Sequence, residues 1–293
     1  MLHYDAVQAA ISELRKKQIF FLGGVIKSGT TWLQLLLEAH PQVSCKGEGH
    51  FMRVAPLLRR ALDQHGELIA EKNQSIFKDL AGYPRLKGED YQYLLASCIA
   101  LYLRRQSEDK PATRAIGEKS PRNLSFFNEF TALFPTAKFI YIVRDGRDCA
   151  VSGWFHNLRL TPEWVKKTYG SMEGYVTTFI ENWAKDVSAA QTLADANPTR
   201  VRQVRYEDLL ANTEHALADL FNFLGVKADE HALAECRSAA SFERLSGRAA
   251  GEENPNSFFR KGVTGDWRNH LSADVLAIIR QRAGTTLDRF GYD

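Results

Sequence analysis

No stretch of this chain is apolar for long enough to cross a membrane, which is the first constraint on what it is. Met1 to Gln18 alternates polar and apolar residues, so the start reads as neither a signal peptide nor an anchor, and a cytoplasmic protein is expected. Cysteine is scarce. Cys45, Cys98, Cys149 and Cys236 stand far apart, with no C-x-x-C pair and no His at ligand spacing. That argues against zinc or disulfide frameworks, leaving reduced core thiols and no metal. No linker rich in Pro, Gly or Ser divides the chain, and no repeat runs through it, so residues 1–293 read as one domain. Charge of one sign is also missing. Lys plus Arg is 38 and Asp plus Glu 35, a net +3 that implies no nucleic-acid surface, so any anion site must be local.

What is present is an ordinary globular balance, 44% hydrophobic and 25% charged, enough for a sizeable core. Short apolar runs predict strands at Gln18 to Gly23, Gln42 to Cys45, Arg114 to Glu118, Ala137 to Val143 and Arg200 to Arg205. Helical periodicity falls between and after them, at Trp32 to Ala39, Phe51 to Gln64, Asp90 to Arg105, Leu124 to Leu133, Ser171 to Ala194, Glu214 to Leu224 and Ala273 to Arg289. A further helix is expected to begin around Asp145 to Asp148. Alternating strands and helices imply an α/β fold, a three-layer sandwich with a central, mostly parallel sheet. Ligands of such folds sit beyond the carboxyl ends of the strands. Ser241 to Asp266 has no clear period and reads as a long ordered loop, a length that usually carries function.

Gly24-Val-Ile-Lys-Ser-Gly29-Thr-Thr-Trp32 lies where the first strand yields to a helix, the place where backbone NH groups and a helix N-terminus hold anions. Gly24 and Gly29 keep the glycine spacing of a nucleotide P-loop, G-x-x-x-x-G-K-[ST]. The lysine due after the second glycine is absent; Thr30 stands there, and the cation has moved back to Lys27. A kinase needs Lys and Mg²⁺ to manage a triphosphate. A lysine near the bridging oxygen of a single phosphosulfate neutralises the leaving phosphate without a metal. Lys27-Ser-Gly-Thr-Thr-Trp32 resembles the 5′-phosphosulfate loop of sulfotransferases that use 3′-phosphoadenosine 5′-phosphosulfate (PAPS) as donor. The resemblance implies that Lys27 meets the bridging oxygen, that Ser28, Gly29, Thr30 and Thr31 bind the 5′-phosphate, and that Trp32 packs near adenine. Ile26 replaces the family's usual proline.

Two further segments extend the resemblance. Tyr141-Ile-Val-Arg144-Asp-Gly-Arg147-Asp148 follows a buried strand, with Ser152 eight residues beyond Arg144. Arginine offers phosphate a fork of donors, although Arg-Asp pairs alone usually make structural salt bridges. The stretch resembles the family's 3′-phosphate motif, which assigns Arg144 and Ser152 to that phosphate. Arg260-Lys261-Gly262-Val-Thr-Gly265-Asp266-Trp267 is similar to the R-K-G-x-x-G-D-W segment that closes over the same group. It implies contacts from Arg260, Lys261 and Gly262, with Gly265 to Trp267 as an anchor. Tyr206 and Phe242 match aromatic positions beside adenine, with core packing as the other reading. The reaction implied is transfer of a sulfuryl group to a hydroxyl or amine, releasing adenosine 3′,5′-bisphosphate. If so, Lys27, Arg144 and Arg260 must surround one cavity.

The base is open between several groups. Glu48 and His50, two residues apart after the second strand, resemble the E-x-H-F stretch of carbohydrate sulfotransferases that modify heparan sulfate, where the Glu is the proposed base. Glu118-Lys119-Ser-Pro121 resembles their E-K-S-P segment, which assigns Lys119 to the sulfuryl group. The catalytic histidine of the cytosolic enzymes has no counterpart there, so Glu48, His50, Glu118 and, further off, His156 stay as candidates. About Phe51 to Gln92 and Phe155 to Tyr175 should line the acceptor side, where Phe51, Trp164, Tyr169 and Tyr175 suit a small-molecule, acyl or carbohydrate acceptor, or the core. The oligomeric state is unreadable. Two rivals stand beside this reading: a P-loop kinase or NTPase, and a noncatalytic module that binds adenosine 3′,5′-bisphosphate.

Overall fold

A computed structural model describes residues 4–78 and 82–292. Residues 1–3 of the stretch read for a leader, 79–81 of the segment assigned to the acceptor side, and Asp293 lie outside the described residues. In chain order the elements are α1 Tyr4–Leu14, β1 Gln18–Gly24, α2 Thr30–Glu38, β2 Val43–Lys46, α3 Phe51–Lys72, α4 Gly88–Gln106, β3 Ala115–Lys119 and α5 Phe127–Leu133. They continue with β4 Lys138–Val143, α6 Gly146–Leu160, α7 Pro162–Tyr169, α8 Met172–Ala196, β5 Val201–Arg205 and α9 Tyr206–Ala211. The last are α10 Thr213–Leu224, α11 Glu230–Ala239, α12 Phe242–Ser246 and α13 Ala273–Arg289.

All five expected strands form, within a residue or so at each end. They pair in the order β2-β3-β1-β4-β5, every neighbour parallel. Parallel neighbours need crossovers that cover both faces of a sheet, which is why the central strands read as continuous apolar runs and not as alternations. Successive residues divide between the faces. Phe21, Phe139 and Tyr141 join α4, α5, α6, α8 and α13 in one core, and Phe20, Leu22, Ile140 and Ile142 join α2, α9, α10 and α11 in the other. Phe21 and Phe130 stack at 3.9 Å between ring centroids.

Five helices were not foreseen: α1, α7, α9, α11 and α12. Each is short, and α1 buries only Leu14, so its apolar stripe is too thin to register as periodicity. The expected loop from Ser241 to Asp266 opens instead with α12. Ser241 caps it by accepting the Arg244 NH at 3.3 Å, and Gly247, at φ 70°, ends it. Among the described residues no helix is long and apolar enough to cross a membrane.

Because the strands are parallel, their carboxyl ends share one edge. Gly24 ends β1, Lys46 ends β2, Lys119 ends β3, Val143 ends β4 and Arg205 ends β5. Every motif singled out above except the Arg260 segment leaves the sheet there, and that segment must be brought to it by contacts.

Candidate active site

The loop after β1 is bent into shape by two left-handed residues, Lys27 at φ 69° and Gly29 at 99°. Only glycine is suited to the second: a Cβ on Gly29 would meet the Tyr206 ring at 2.6 Å. The Ser28 NH donates to Val25 O at 3.0 Å to close the turn, and the Gly24 NH donates to Pro121 O at 2.9 Å to tie it to the segment after β3. Gly29 is the N-cap of α2 and brings no side-chain oxygen, so no side-chain cap occupies the NH groups at the helix start. That start faces a cavity of about 470 Å³.

Lys27, Gly29, Thr30, Thr31 and Trp32 line this cavity together with Arg144, Ser152, Tyr206, Phe242, Arg260, Lys261, Gly262 and Glu48. The three motifs therefore meet at one place. Ser28 is the exception in the first loop: its side chain is fully buried beneath the turn, its Oγ without a hydrogen-bond partner, so only its backbone is offered to a ligand. The Trp32 indole NH donates to Ala240 O at 2.9 Å, and its ring meets the Tyr206 edge at 5.4 Å.

Arg144 joins the motifs physically. It donates to Lys27 O at 3.4 Å, to Val263 O at 3.0 Å and to Asp148 Oδ2 at 3.4 Å, and lies 4.4 Å from the Tyr206 ring centre. Asp148, 2% exposed, also accepts the NH groups of Gly265 at 2.7 Å and Trp267 at 3.1 Å, which pulls the Arg260 segment to the sheet edge. The other Arg-Asp pair is local: Asp145 caps α6 through the Arg147 NH and grips the Arg147 guanidinium, which lies over the Trp267 ring.

Arg260 and Lys261 are each held by Asp266 and Glu253. Burial opposes the Asp266 charge, but hydrogen bonds from Lys261, Arg260 and Asn269 outweigh it and hold the carboxyl well below the usual range. Gly262, at φ 69°, presses on Phe242 so closely that a Cβ would meet the ring at 2.3 Å.

On the acceptor side Lys119, nearly buried, donates to Glu48 Oε1 at 2.7 Å and reaches Thr31 Oγ1 at 3.4 Å. His50 is outside the cavity lining, 52% exposed, with Nε2 3.6 Å from Glu48 Oε2. Lys119 does not line the cavity itself and touches it through Glu48 and Thr31. Glu118 is fully buried, accepting from the Gly49 NH at 2.7 Å, Ser120 Oγ at 2.6 Å and Asn123 Nδ2 at 2.8 Å. Burial pushes its pKa up, and these hydrogen bonds oppose the shift. So engaged, it is a clamp between β3 and the Gly49 turn, out of reach of an acceptor.

Two neighbours of Lys27 carry no motif signal. The Phe258 ring lies 4.6 Å from Lys27 Nζ, and the half-buried His156 lines the same cavity with Nδ1 3.3 Å from Arg159. Burial, then Lys27 and Arg159, lower His156 to about 4, so it is neutral at pH 7. Burial and the cations Arg144 and Arg159 lower Lys27 to about 8.

Asp148→Ala would strand the Arg144 charge and leave two backbone NH groups unmet. A loss of about 3–5 kcal/mol in chemical denaturation is expected, with faster proteolysis in residues 251–265; an unchanged midpoint would contradict the hub.

The Sulfotransferase family model matches residues 19–230. Human sulfotransferase 1C2 is 28% identical over 151 residues, 46% of this chain and 49% of that protein. Chicken protein-tyrosine sulfotransferase 2 is 25% identical over 290 residues, 95% of this chain and 70% of that protein. This chain thus spans about half the human relative and more of the chicken one. The structure of mouse sulfotransferase SULT7A1 complexed with PAP superposes with a TM-score of 0.56, covering 97% of this chain and 94% of that one at 19% identity, a likeness of fold. With most of its length matched by the family model, this chain belongs to the sulfotransferase family.

Proposed function

We propose that this chain transfers a sulfuryl group from PAPS to an acceptor hydroxyl or amine, by in-line displacement and without a metal. One observation carries the reading: Lys27, Arg144 and Arg260, from three separate segments, line one cavity. The NH groups at the start of α2, with Thr30 and Thr31, bind the 5′-phosphate. Arg144, Ser152, Arg260 and Lys261 bind the 3′-phosphate, and Trp32, Tyr206 and Phe242 pack against adenine. Lys27 neutralises charge on the bridging oxygen as the bond to sulfur breaks. Glu48 takes the acceptor proton, and Lys119, 2.7 Å away, orients that carboxylate from behind the cavity wall. One domain in the cytoplasm is part of the same proposal, supported by one sheet and four unpaired cysteines. The acceptor is a small molecule, an acyl chain or a carbohydrate; the chicken relative is named for protein tyrosine.

An acceptor screen with radiolabelled donor, run with and without a chelator, tests the whole. Transfer indifferent to the chelator is expected. A requirement for ATP and Mg²⁺ would return the chain to the kinases, and nucleotide binding with no transfer to any acceptor would make it a binding module. Lys27→Ala should lower kcat by about 10²–10³-fold and change bisphosphate affinity far less; wild-type turnover would remove Lys27 from the mechanism. Arg260→Ala should weaken PAPS by roughly ten- to a hundredfold and leave adenosine 5′-phosphosulfate, which lacks the 3′-phosphate, unaffected. The competent Lys27 is the ammonium, present below its pKa of about 8 and lost above it. Hence kcat/KM for the donor should fall as pH rises through about 8, and Lys27→Arg should move that fall upward. A profile flat across that range would refute the assignment.

A further inference from the structure

A second cavity, larger than the first at about 660 Å³, has most of its wall outside the motifs. It shares Ile26, Pro121 and Asn157 with the donor cavity, so the two adjoin at the loop that carries Lys27. The volume suits an organic molecule of moderate size. Helices α7 and α8 contribute Trp164, Tyr169, Tyr175 and Phe179 to its wall, with Tyr141 from β4 and Phe127 from α5. The aromatic residues expected on the acceptor side therefore divide: Trp164, Tyr169 and Tyr175 line this cavity, while Phe51 packs in the core.

Its charges are few and separated. Asp186 is its one carboxylate, exposed on α8 and in no ion pair among the described residues. Burial, then the Asp186 carboxylate, pushes up the Tyr141 hydroxyl, and both residues line the cavity. Arg122 is the one cation of the lining among the described residues and follows Pro121, at the end shared with the donor cavity. Aromatic faces attract a protonated amine, and a carboxylate among them adds a charged hydrogen-bond acceptor. The shared end, with Arg122 and Lys27, favours the anionic sulfuryl group and repels an ammonium.

We propose that this second cavity binds the acceptor, and that the acceptor is an aryl alcohol or phenol bearing an alkylamine. Its hydroxyl points to Ile26, Pro121 and Asn157, and its ammonium meets Asp186. The acceptor oxygen forms the new O–S bond while the bond from sulfur to the bridging phosphate oxygen breaks. The hydroxyl proton goes to Glu48, and the electron pair leaves with adenosine 3′,5′-bisphosphate. This rests on the sulfotransferase reading.

The test is calorimetric titration of the full chain, saturated with adenosine 3′,5′-bisphosphate, with 4-(2-aminoethyl)phenol, its N-acetyl derivative and 4-ethylphenol. The amine should bind about ten-fold more tightly than either neutral probe. Asp186→Asn should abolish that preference, and Ala189→Trp, which fills the cavity from α8, should weaken all three. Both variants should bind the bisphosphate as the wild type does. Equal binding of the three probes, no binding of any, or a preference that survives Asp186→Asn would overturn the proposal. Failure of the chain to bind the bisphosphate would instead overturn the sulfotransferase reading itself.

Discussion

A single buried carboxylate holds the site in one piece. Asp148 accepts two backbone NH groups from a segment 117 to 119 residues further along the chain and faces Arg144, which lies between β4 and α6. A carboxylate this deep is tolerable only when its lone pairs are met, and here each donor comes from a part of the site. Arg144 then reaches on to carbonyls of the first and third motifs. The sheet alone cannot do this. Its parallel strands deliver the loops after all five strands to a common edge, but the Arg260 segment belongs to no strand.

That division explains what was legible in the sequence. The five strands were readable because a strand covered on both faces must be apolar throughout, and Phe20-Phe-Leu and Phe139-Ile-Tyr-Ile-Val are. The phosphate-binding segments were readable because their glycines answer to backbone geometry: Gly29 and Gly262 have positive φ and lie against Tyr206 and Phe242. Position within a motif does not say which way a side chain turns. Ser28 turns under its loop, His50 turns to solvent, and Glu118 turns into the protein, where three donors claim it. Strand alternation could have warned of the last, since Glu118 and Lys119 are consecutive in β3 and take opposite directions. Phe258 and the Asp186 wall had no signal, because they depend on where a loop and a long helix come to rest.

The cavity concentrates positive charge, and its chemistry follows from how that charge is balanced. Arg260 and Lys261 are covered by Asp266 and Glu253, and Arg144 by Asp148. Lys27 has no carboxylate partner among the described residues; it lies against the Phe258 ring, among like charges. Its charged form is therefore disfavoured until an anion arrives, and a phosphosulfate arriving beside it relieves the burial cost and the repulsion together. The cations already neutralised act on a group that keeps its charge throughout, the 3′-phosphate. The unneutralised one stands where negative charge grows as the bond to sulfur breaks, and only a cation with no standing partner gives its full interaction to that moment.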